Sequence, residues 1–197
     1  MMRQADPDHI IVDCIAYIKE DNSLGLNSLL SSTNIDIAST INIGQQWVQD
    51  ALKNILGDND NGQFIIMNLR VYRYWHLINL AAFFNSVSCI QVLLSYDLSI
   101  IDNANVSAAW MTRCTNNNIN GTVKLLLERG ANPNAQNLHS VAHVNILQYL
   151  YYPTTLCRYP CYDDLRSLLL QHGADPNIQD AEGKKLLDRL IPDSREM

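Results

Sequence analysis

Apolar residues recur at three- and four-residue spacings along most of the chain, separated by polar stretches rich in Asn, Asp and Gly. This spacing places the apolar side chains on one face of a helix, so it predicts a succession of short amphipathic helices. The predicted helices are 9–20, 24–30, 41–56, 63–69, 78–84, 89–94, 122–128, 141–151, 164–172 and 184–190. Ser86 is the predicted N-cap of the helix at 89–94, and Asp163 or Asp164 that of the helix ending at 172. The sequence therefore predicts an all-α fold.

One helix-ending sequence occurs twice, in the stretches 123–136 and 168–179. In each copy a run of three leucines leads to Gly-Ala, then Asn132 or Asp175, then Pro-Asn. The side chains of Asn132 and Asp175 can hydrogen-bond amides of the turn. Gly130 and Gly173 stand where a helix ends in the left-handed conformation, which glycine adopts without a Cβ clash. The proline three positions later cannot continue the helix. Two copies of one device predict a repeat architecture, in which both leucine runs are buried.

These copies resemble the end of an ankyrin repeat, and Leu80-Ala81-Ala82 resembles the alanine pair of its inner helix. That family's unit is a β-turn finger, an inner helix and an outer helix, with a period of about 33 residues. The resemblance implies one domain, 1–197, folded as an ankyrin-type helical-repeat solenoid of about five irregular repeats plus a C-terminal half repeat. The approximate units are 8–37, 38–71, 72–104, 105–137, 138–179 and a cap, 180–197.

The chain departs from the family pattern in several places. Asp97 is the first residue of a predicted turn, 97–102, at a position where the family has glycine. Asp97 should therefore take positive φ. Trp110 replaces a histidine of the family motif. Gly173 lies 43 positions after Gly130, and the surplus falls in an insertion at 152–161. The predicted finger Asp-Ala-Glu-Gly, at 180–183, opens the C-terminal cap.

Composition and charge limit the classes of partner that the protein is expected to bind. The 197 residues carry a formal charge of −6, so no global electrostatic attraction to nucleic acid or an acidic membrane is expected. The chain has no apolar run of the roughly 18 residues that span a bilayer, and its first residues lack the features of a signal peptide. Five scattered cysteines are typical of reduced thiols, which favours a cytoplasmic location. We expect a monomer when the protein is free.

Enzymatic chemistry is the alternative class. Common phosphate-loop, zinc-protease and serine-hydrolase motifs do not occur in the sequence. A thiol nucleophile could be built from Cys114 or Cys157 with His139 or His143, and a zinc site from Cys157 and Cys161 with one of these histidines. Inert, buried cysteines are the favoured interpretation, so no cofactor is predicted.

The resemblance implies a non-enzymatic module or adaptor that binds a partner protein through its fingers and inner helices. The predicted partner-binding residues on that surface are Asn103, Asn105, Trp110, Asn137, His139 and Glu182, and those of a second patch on the insertion are Tyr152 and Tyr159. Two aromatic groups, 72–75 and 149–162, fill the core or form an interaction patch.

Two further hypotheses concern the source and extent of the chain. Degenerate ankyrin-type repeats are compatible with a factor that a bacterium or virus deploys in host cytoplasm. The chain could also be a recruiting fragment of a longer protein whose activity lies elsewhere. The sequence favours neither over a plain interaction module.

Overall fold

The computed structural model describes residues 7–57, 59, 62–63, 65–66, 69, 74–103, 119–135, 147, 161–180, 182–186 and 188. The protein is mostly helical, as predicted. It comprises two compact units, Met1–Ala104 and Asn105–Met197. Among the described residues, no helix combines the length and apolar character that crossing a membrane requires.

The described elements of the first unit are α1 (Pro7–Lys19), α2 (Ser23–Ser32), β1 (Ile41–Asn42), α3 (Gln46–Leu56), β2 (Tyr74–Trp75), α4 (Leu77–Phe83), α5 (Val87–Tyr96) and the 3-10 helix η1 (Leu98–Asn103). Those of the second unit are α6 (Ile119–Glu128) and α7 (Cys161–Gln171).

Three local predictions for the first unit were wrong. The chain from residue 41 begins with a strand, β1, which pairs antiparallel with β2 through Ile41 and Trp75, and α3 starts only at Gln46. The predicted turn at 97–102 is largely the 3-10 helix η1. Asp97 has a φ of −151°, which is extended backbone. Its carboxylate accepts hydrogen bonds from the backbone and hydroxyl of Ser99, so it satisfies this turn without a left-handed residue.

Two helix pairs stack directly in the first unit. Helix α1 packs against α2 and α4, α2 packs against α5, and α4 packs against α5. The buried side chains between them are mainly Leu and Ile, such as Ile18, Leu26 and Ile90, all fully buried. Full burial of one such side chain stabilises the fold by roughly 1.5–3 kcal/mol.

The two pairs have the same interhelical turn. The turn after α1 has Asp21 at a φ of 49°, and the turn after α4 has Asn85, 64 positions later, at 56°. In each turn the following residue donates a backbone hydrogen bond to the carbonyl four positions before the left-handed residue, at 2.8 Å in the first and 2.9 Å in the second. Asp and Asn are the non-glycine residues that most readily adopt this conformation.

A side chain of the first pair caps a helix of the second. Asp21 accepts hydrogen bonds from the backbone N–H groups of Cys89, at 2.9 Å, and Ser88, at 3.4 Å, in the first turn of α5. Ser86 occupies the predicted N-cap position of α5, but its hydroxyl donates to the carbonyl of Ile18 in α1. The cap is therefore supplied across the stack, and it fixes the register of the two pairs.

The pairs α1–α2 and α4–α5 contact each other directly, although the predicted unit 38–71 separates them in the sequence. The strands β1 and β2, which flank α3 in the sequence, pair with each other. Helix α3 packs against α1, and the Lys19 ammonium donates to the Ile55 carbonyl at 2.7 Å. Lysine is favourable there because the C-terminal end of a helix carries partial negative charge. The repeat boundaries themselves stay a prediction.

In the second unit, α6 and α7 pack against each other. Val123 and Leu126 of α6 and Leu165 and Leu169 of α7 are buried at 1% exposure or less. The predicted caps of α7, Asp163 and Asp164, instead lie within its first turn, since the helix begins at Cys161. Negative charge is favourable there as well.

Candidate partner-binding surface

The predicted glycine turns are confirmed in the second unit. Gly130 has a φ of 95° and Gly173 a φ of 86°. In both turns the next residue, an alanine, donates a backbone hydrogen bond to the middle leucine of the preceding run, at 3.0 and 2.9 Å. This bond satisfies a carbonyl that the end of the helix leaves free. The two copies of the sequence device therefore form the same structure.

The prediction that both leucine runs are buried is right for the first and wrong for part of the second. Leu127 of α6 is 4% exposed, whereas Leu170, its counterpart in α7, is 48% exposed. On the same face, α7 carries Arg166 where α6 carries the buried Val123. This face of α7 is the more polar one, as expected of a face that meets water at the edge of a stack.

One asparagine ties the two turns together. The side-chain amide of Asn134 donates to the Gly173 carbonyl at 3.1 Å, and its oxygen accepts from the Asp175 backbone N–H at 2.7 Å. An Asn side chain can do both because it carries a donor and an acceptor. The bonds join the turn after α6 to the turn after α7, so the two exposed turns are held in a fixed order.

Each turn is also closed internally. Asn132 accepts a hydrogen bond from the Asn134 backbone N–H at 2.8 Å, and Asp175 accepts one from the Asn177 backbone N–H at the same distance. The sequence predicted this role for Asn132 and Asp175 from their turn chemistry. It missed the cross-turn role of Asn134, for which the available signal was an asparagine at the same place in both copies.

The predicted finger at 180–183 is an ordered turn. Asp180, 7% exposed, accepts hydrogen bonds from the backbone N–H groups of Glu182 and Lys184 at 2.8 and 3.0 Å. Gly183 has a φ of 73°, which glycine allows. The Glu182 carboxylate lies 3.3 Å from the Lys184 ammonium, with both side chains more than half exposed. Such an exposed pair adds little stability.

Glu182 is thus the predicted partner-binding residue whose side chain the structure describes. Asn103 is the last residue of η1. The remaining predicted binding residues, Asn105, Trp110, Asn137, His139, Tyr152 and Tyr159, lie outside the described residues. The proposed assignment of all eight to a binding surface stays a prediction.

The first aromatic group divides between core and surface. Trp75 is 2% exposed. Its indole N–H donates to the Leu69 carbonyl at 3.0 Å, and its ring meets that of Phe83 edge to face with centroids 5.5 Å apart. Tyr74 is 50% exposed. Trp75 therefore lies in the core, and Tyr74 lies at the surface.

Two of the five cysteines are described with their side chains. Cys14 and Cys89 are free, buried thiols. Burial, reinforced by Asp13 beside the first and Asp21 beside the second, raises the pKa of each thiol to about 12. Because the thiolate is the reactive form, these two cysteines are not nucleophiles at neutral pH.

The structure does not describe the side chains of the other candidates for a thiol nucleophile or a zinc site. Cys114, Cys157, His139 and His143 lie outside the described residues, as does the side chain of Cys161. Within the part of the chain that the structure describes, no group of three or more His, Cys, Asp or Glu side chains is arranged to hold a metal ion.

Helix pairs joined by left-handed turns, together with a doubled Gly-Ala-x-Pro-Asn turn, define a helical protein with internal repeats. The family model for the ankyrin repeat matches residues 108–138. This match overlaps the predicted unit 105–137 and includes the Gly130 turn, and it confirms the resemblance to the ankyrin-repeat family. A search of curated proteins gave no match to the chain.

Proposed function

We propose that this protein is a non-enzymatic module that binds a partner protein through its fingers and inner helices, and that it acts as an adaptor. Ankyrin repeats are in general protein–protein interaction modules. The observation that supports the proposal here is the hydrogen-bonded link from Asn134 to the next turn. It holds successive turns in register, so the turns present their polar groups in a fixed row.

A fixed row of turns favours binding for an energetic reason. A surface that is ordered before binding avoids much of the entropy loss that ordering loops and side chains would otherwise cost. The finger at 180–183 has its backbone hydrogen bonds satisfied by Asp180, and Glu182 projects from it. The proposed surface extends from this finger to the predicted residues Asn103, Asn105, Trp110, Asn137 and His139.

The test is a partner-binding assay on two multiple-alanine variants. A partner is first captured from a eukaryotic lysate with the full chain and then purified for direct binding. One variant replaces the finger residues Asn103, Asn105, Asn137 and Glu182, and the other replaces Tyr152 and Tyr159. Truncating a true anchor costs about 2 kcal/mol or more in binding, whereas truncating a rim residue costs close to nothing.

We expect the first variant to bind at least about tenfold more weakly, because 1.4 kcal/mol corresponds to a factor of ten. Both variants must keep the circular dichroism spectrum of the wild type. Normal binding by the first variant with loss of binding by the second would assign recognition to the insertion and refute the finger surface.

The alternative, a cysteine- or metal-dependent enzyme on a helical scaffold, draws nothing from Cys14 and Cys89, whose thiols stay protonated at neutral pH. It would have to use the cysteines of the second unit. Zinc analysis of the purified protein and alkylation of native Cys114, Cys157 and Cys161 separate the two proposals. A stoichiometric zinc ion, or one hyper-reactive thiol, would favour the enzyme.

The proposal also places the protein in a reducing cytoplasm, and in the host's cytoplasm if a bacterium or virus supplies it. The free state of Cys14 and Cys89 is compatible with such a compartment. Expression of a tagged full chain in eukaryotic cells, followed by fractionation, tests this location. Recovery in a membrane or nuclear fraction would contradict it.

A further inference from the structure

A tyrosine at the surface of the first unit stands beside an inner helix. Tyr74 is 50% exposed and lies three residues before α4, which corresponds to the predicted inner helix 78–84. It pairs with Asn42 across β1 and β2, whereas the neighbouring pair, Ile41 and Trp75, is buried. Paired residues share one face of a sheet, and successive residues alternate between the two faces. Tyr74 therefore lies on the face of the strand pair opposite the core.

The backbone that carries Tyr74 is fixed on both strands. The next residue, Trp75, is anchored in the core by its indole hydrogen bond and an edge-to-face ring contact. On the other strand, Asn42 accepts backbone hydrogen bonds from Gly44, at 2.9 Å to its side chain, and from Gln45, at 3.1 Å to its carbonyl. Binding to a group that is ordered beforehand loses less entropy. Tyr74 is therefore a preorganised contact group.

Tyr74 differs in position from Tyr96, the other aromatic residue among the exposed large hydrophobic side chains that the structure describes. The Tyr96 hydroxyl bonds Asn27 at 3.0 and 3.1 Å, so this side chain joins α5 to α2. Tyr74 instead precedes an inner helix, the kind of element to which the proposed function assigns the partner. Tyr is enriched at interfaces and among their anchors, so Tyr74 is the better candidate for a partner contact.

The net charge of the protein is divided unequally between the two units. Residues 1–104 contain 11 Asp and Glu and 5 Lys and Arg, whereas residues 105–197 contain nine of each kind. The formal charge of −6 therefore belongs to the first unit. Exposed carboxylates described there lie on several elements, with Asp13 on α1, Asp36 after α2 and Asp50 on α3. Such a distribution attracts positively charged molecules from solution and repels negatively charged ones.

We propose that the partner is a basic protein and that Tyr74 is one of its anchors on the first unit. The proposal rests on the proposed function and names the chemistry of the partner. The charge of the first unit selects the sign of the partner, because a basic surface is steered towards it while an acidic one is repelled. Attraction of this kind raises the association rate. Burial of the Tyr74 ring acts on the complex once formed, so it lowers the dissociation rate.

The test uses the protein that the full chain captures from a eukaryotic lysate, identified by mass spectrometry and purified. Surface plasmon resonance measures its binding to the full chain at ~50 mM and ~500 mM NaCl. We expect the association rate constant to fall at least severalfold at the higher salt concentration, because salt screens the attraction between opposite charges.

A charge variant tests the source of this attraction. The triple variant Asp13→Asn/Asp36→Asn/Asp50→Asn should lower the association rate at ~50 mM NaCl and leave the dissociation rate unchanged. Asparagine keeps an acceptor oxygen for the bonds that Asp36 and Asp50 accept from Ala38 and Gln46, so the fold should persist.

The anchor is tested by Tyr74→Ala, which should raise the dissociation constant at least tenfold, mainly through faster dissociation. Tyr74→Phe keeps the ring and should retain most of the binding. The matched control is Tyr96→Ala, which removes an exposed tyrosine from α5 and should leave binding unchanged. Each variant must keep the circular dichroism spectrum of the wild type.

Several outcomes would overturn the proposal. An association rate that rises or stays constant with salt would show that the partner is not basic. Equal effects of Tyr74→Ala and Tyr96→Ala, or no effect of Tyr74→Ala, would remove Tyr74 from the interface. Loss of binding by the finger variant with normal binding by Tyr74→Ala would overturn this inference alone, whereas recovery of no partner would overturn the proposed function as well.

Discussion

The two units join neighbouring helical elements by different means. In the first unit, the Asp21 carboxylate reaches from the turn between α1 and α2 to the backbone N–H groups that begin α5. In the second unit, the Asn134 amide reaches from the turn after α6 to the turn after α7. In both units a turn side chain makes the joint by bonding backbone, which fixes register more strictly than apolar contact does.

The two units differ in which turn carries the joining side chain and in how clearly the sequence marks that turn. The second unit uses glycine at positive φ followed by proline, and this combination is conspicuous in the sequence. The first unit uses Asp21 and Asn85 at positive φ, two residue types that also occur in ordinary loops and caps. The motif therefore marks one kind of joint and misses the other.

The largest expected effect concerns the thiols of the first unit. Burial raises the pKa of Cys14 and Cys89 from 9.0 to about 12, which lowers the thiolate fraction at pH 8 by about a thousandfold, since each pKa unit is a factor of ten. We expect iodoacetamide to modify these two cysteines at least that much more slowly in the native protein than in urea. Mass spectrometry of quenched samples measures both rates, and Cys114, Cys157 and Cys161 report on the second unit in the same samples. Equal native and unfolded rates at Cys14 or Cys89 would show that the stack does not bury them.

The same pKa values predict a pH dependence of stability. The folded-state pKa of each thiol lies above its unfolded value of 9.0, so the native state holds its protons more tightly. Stability is fully present below pH 9 and is lost as pH rises towards 12, because the unfolded chain releases these protons first. Urea unfolding at pH 8 and pH 10 tests the sign, with Cys14→Ala/Cys89→Ala as the control that should flatten this part of the profile.

The next prediction concerns the cap that Asp21 supplies to α5. Replacing Asp21 with Ala removes the acceptor for the Cys89 N–H, a cap loss of about 1–2 kcal/mol, and places alanine in a left-handed conformation at about 1 kcal/mol more. We expect the free energy of unfolding to fall by about 2–3 kcal/mol in urea titrations. Asp21→Asn keeps an acceptor and tolerates positive φ, so its loss should stay below about 1 kcal/mol. If both variants lose the same amount, the cap does not join the two pairs.

The helices and the turns of the second unit could be predicted from the sequence because each depends on local signals. Helical spacing located α1, α2, α4 and α5 to within a few residues, and Gly130 and Gly173 marked helix ends that the structure confirms. Ser86 was correctly placed at the start of α5. Its actual bond, to Ile18, could not be predicted, because the partner lies 68 positions away in the chain.

The packing of elements that are far apart in the sequence could not be predicted, for the same reason. Nothing in the apolar spacing of 46–56 shows that α3 packs against α1 while α1–α2 contacts α4–α5 directly. The strand pair β1–β2 has two residues on each side, too short for an alternating pattern to appear. Of the candidate surface, the Glu182 finger was predictable from its Asp-x-x-Gly turn, whereas the roles of Asn134 and Asp21 depend on contacts across the stack.

A smaller effect is expected at the glycine turn after α6. Gly130 has a φ of 95°, and a Cβ built there would meet nothing within 4 Å. A substitution is therefore opposed by backbone strain alone, and a β-branched residue resists positive φ most. Gly130→Val should lower stability by about 1–2 kcal/mol. Gly130→Asn is the control and should cost less, since Asn visits this region more readily. Unfolding by urea compares them, and equal losses would contradict a conformational cause.

The smallest expected effect belongs to the link between the two turns. Asn134→Ala removes two side-chain hydrogen bonds at a partly exposed site, each with a net value of about 0.5–1.5 kcal/mol before exposure reduces it, so we expect a loss of about 1 kcal/mol. Asn177 is the matched control, because it holds the same place in the next turn and its amide contacts its own Asp175 at 3.2 Å. Asn177→Ala should change stability by less than about 0.5 kcal/mol, as surface substitutions usually do. Both are measured by urea unfolding monitored by circular dichroism. If Asn177→Ala costs as much as Asn134→Ala, the effect belongs to the local turn, and the cross-turn link does not hold the two helix ends together.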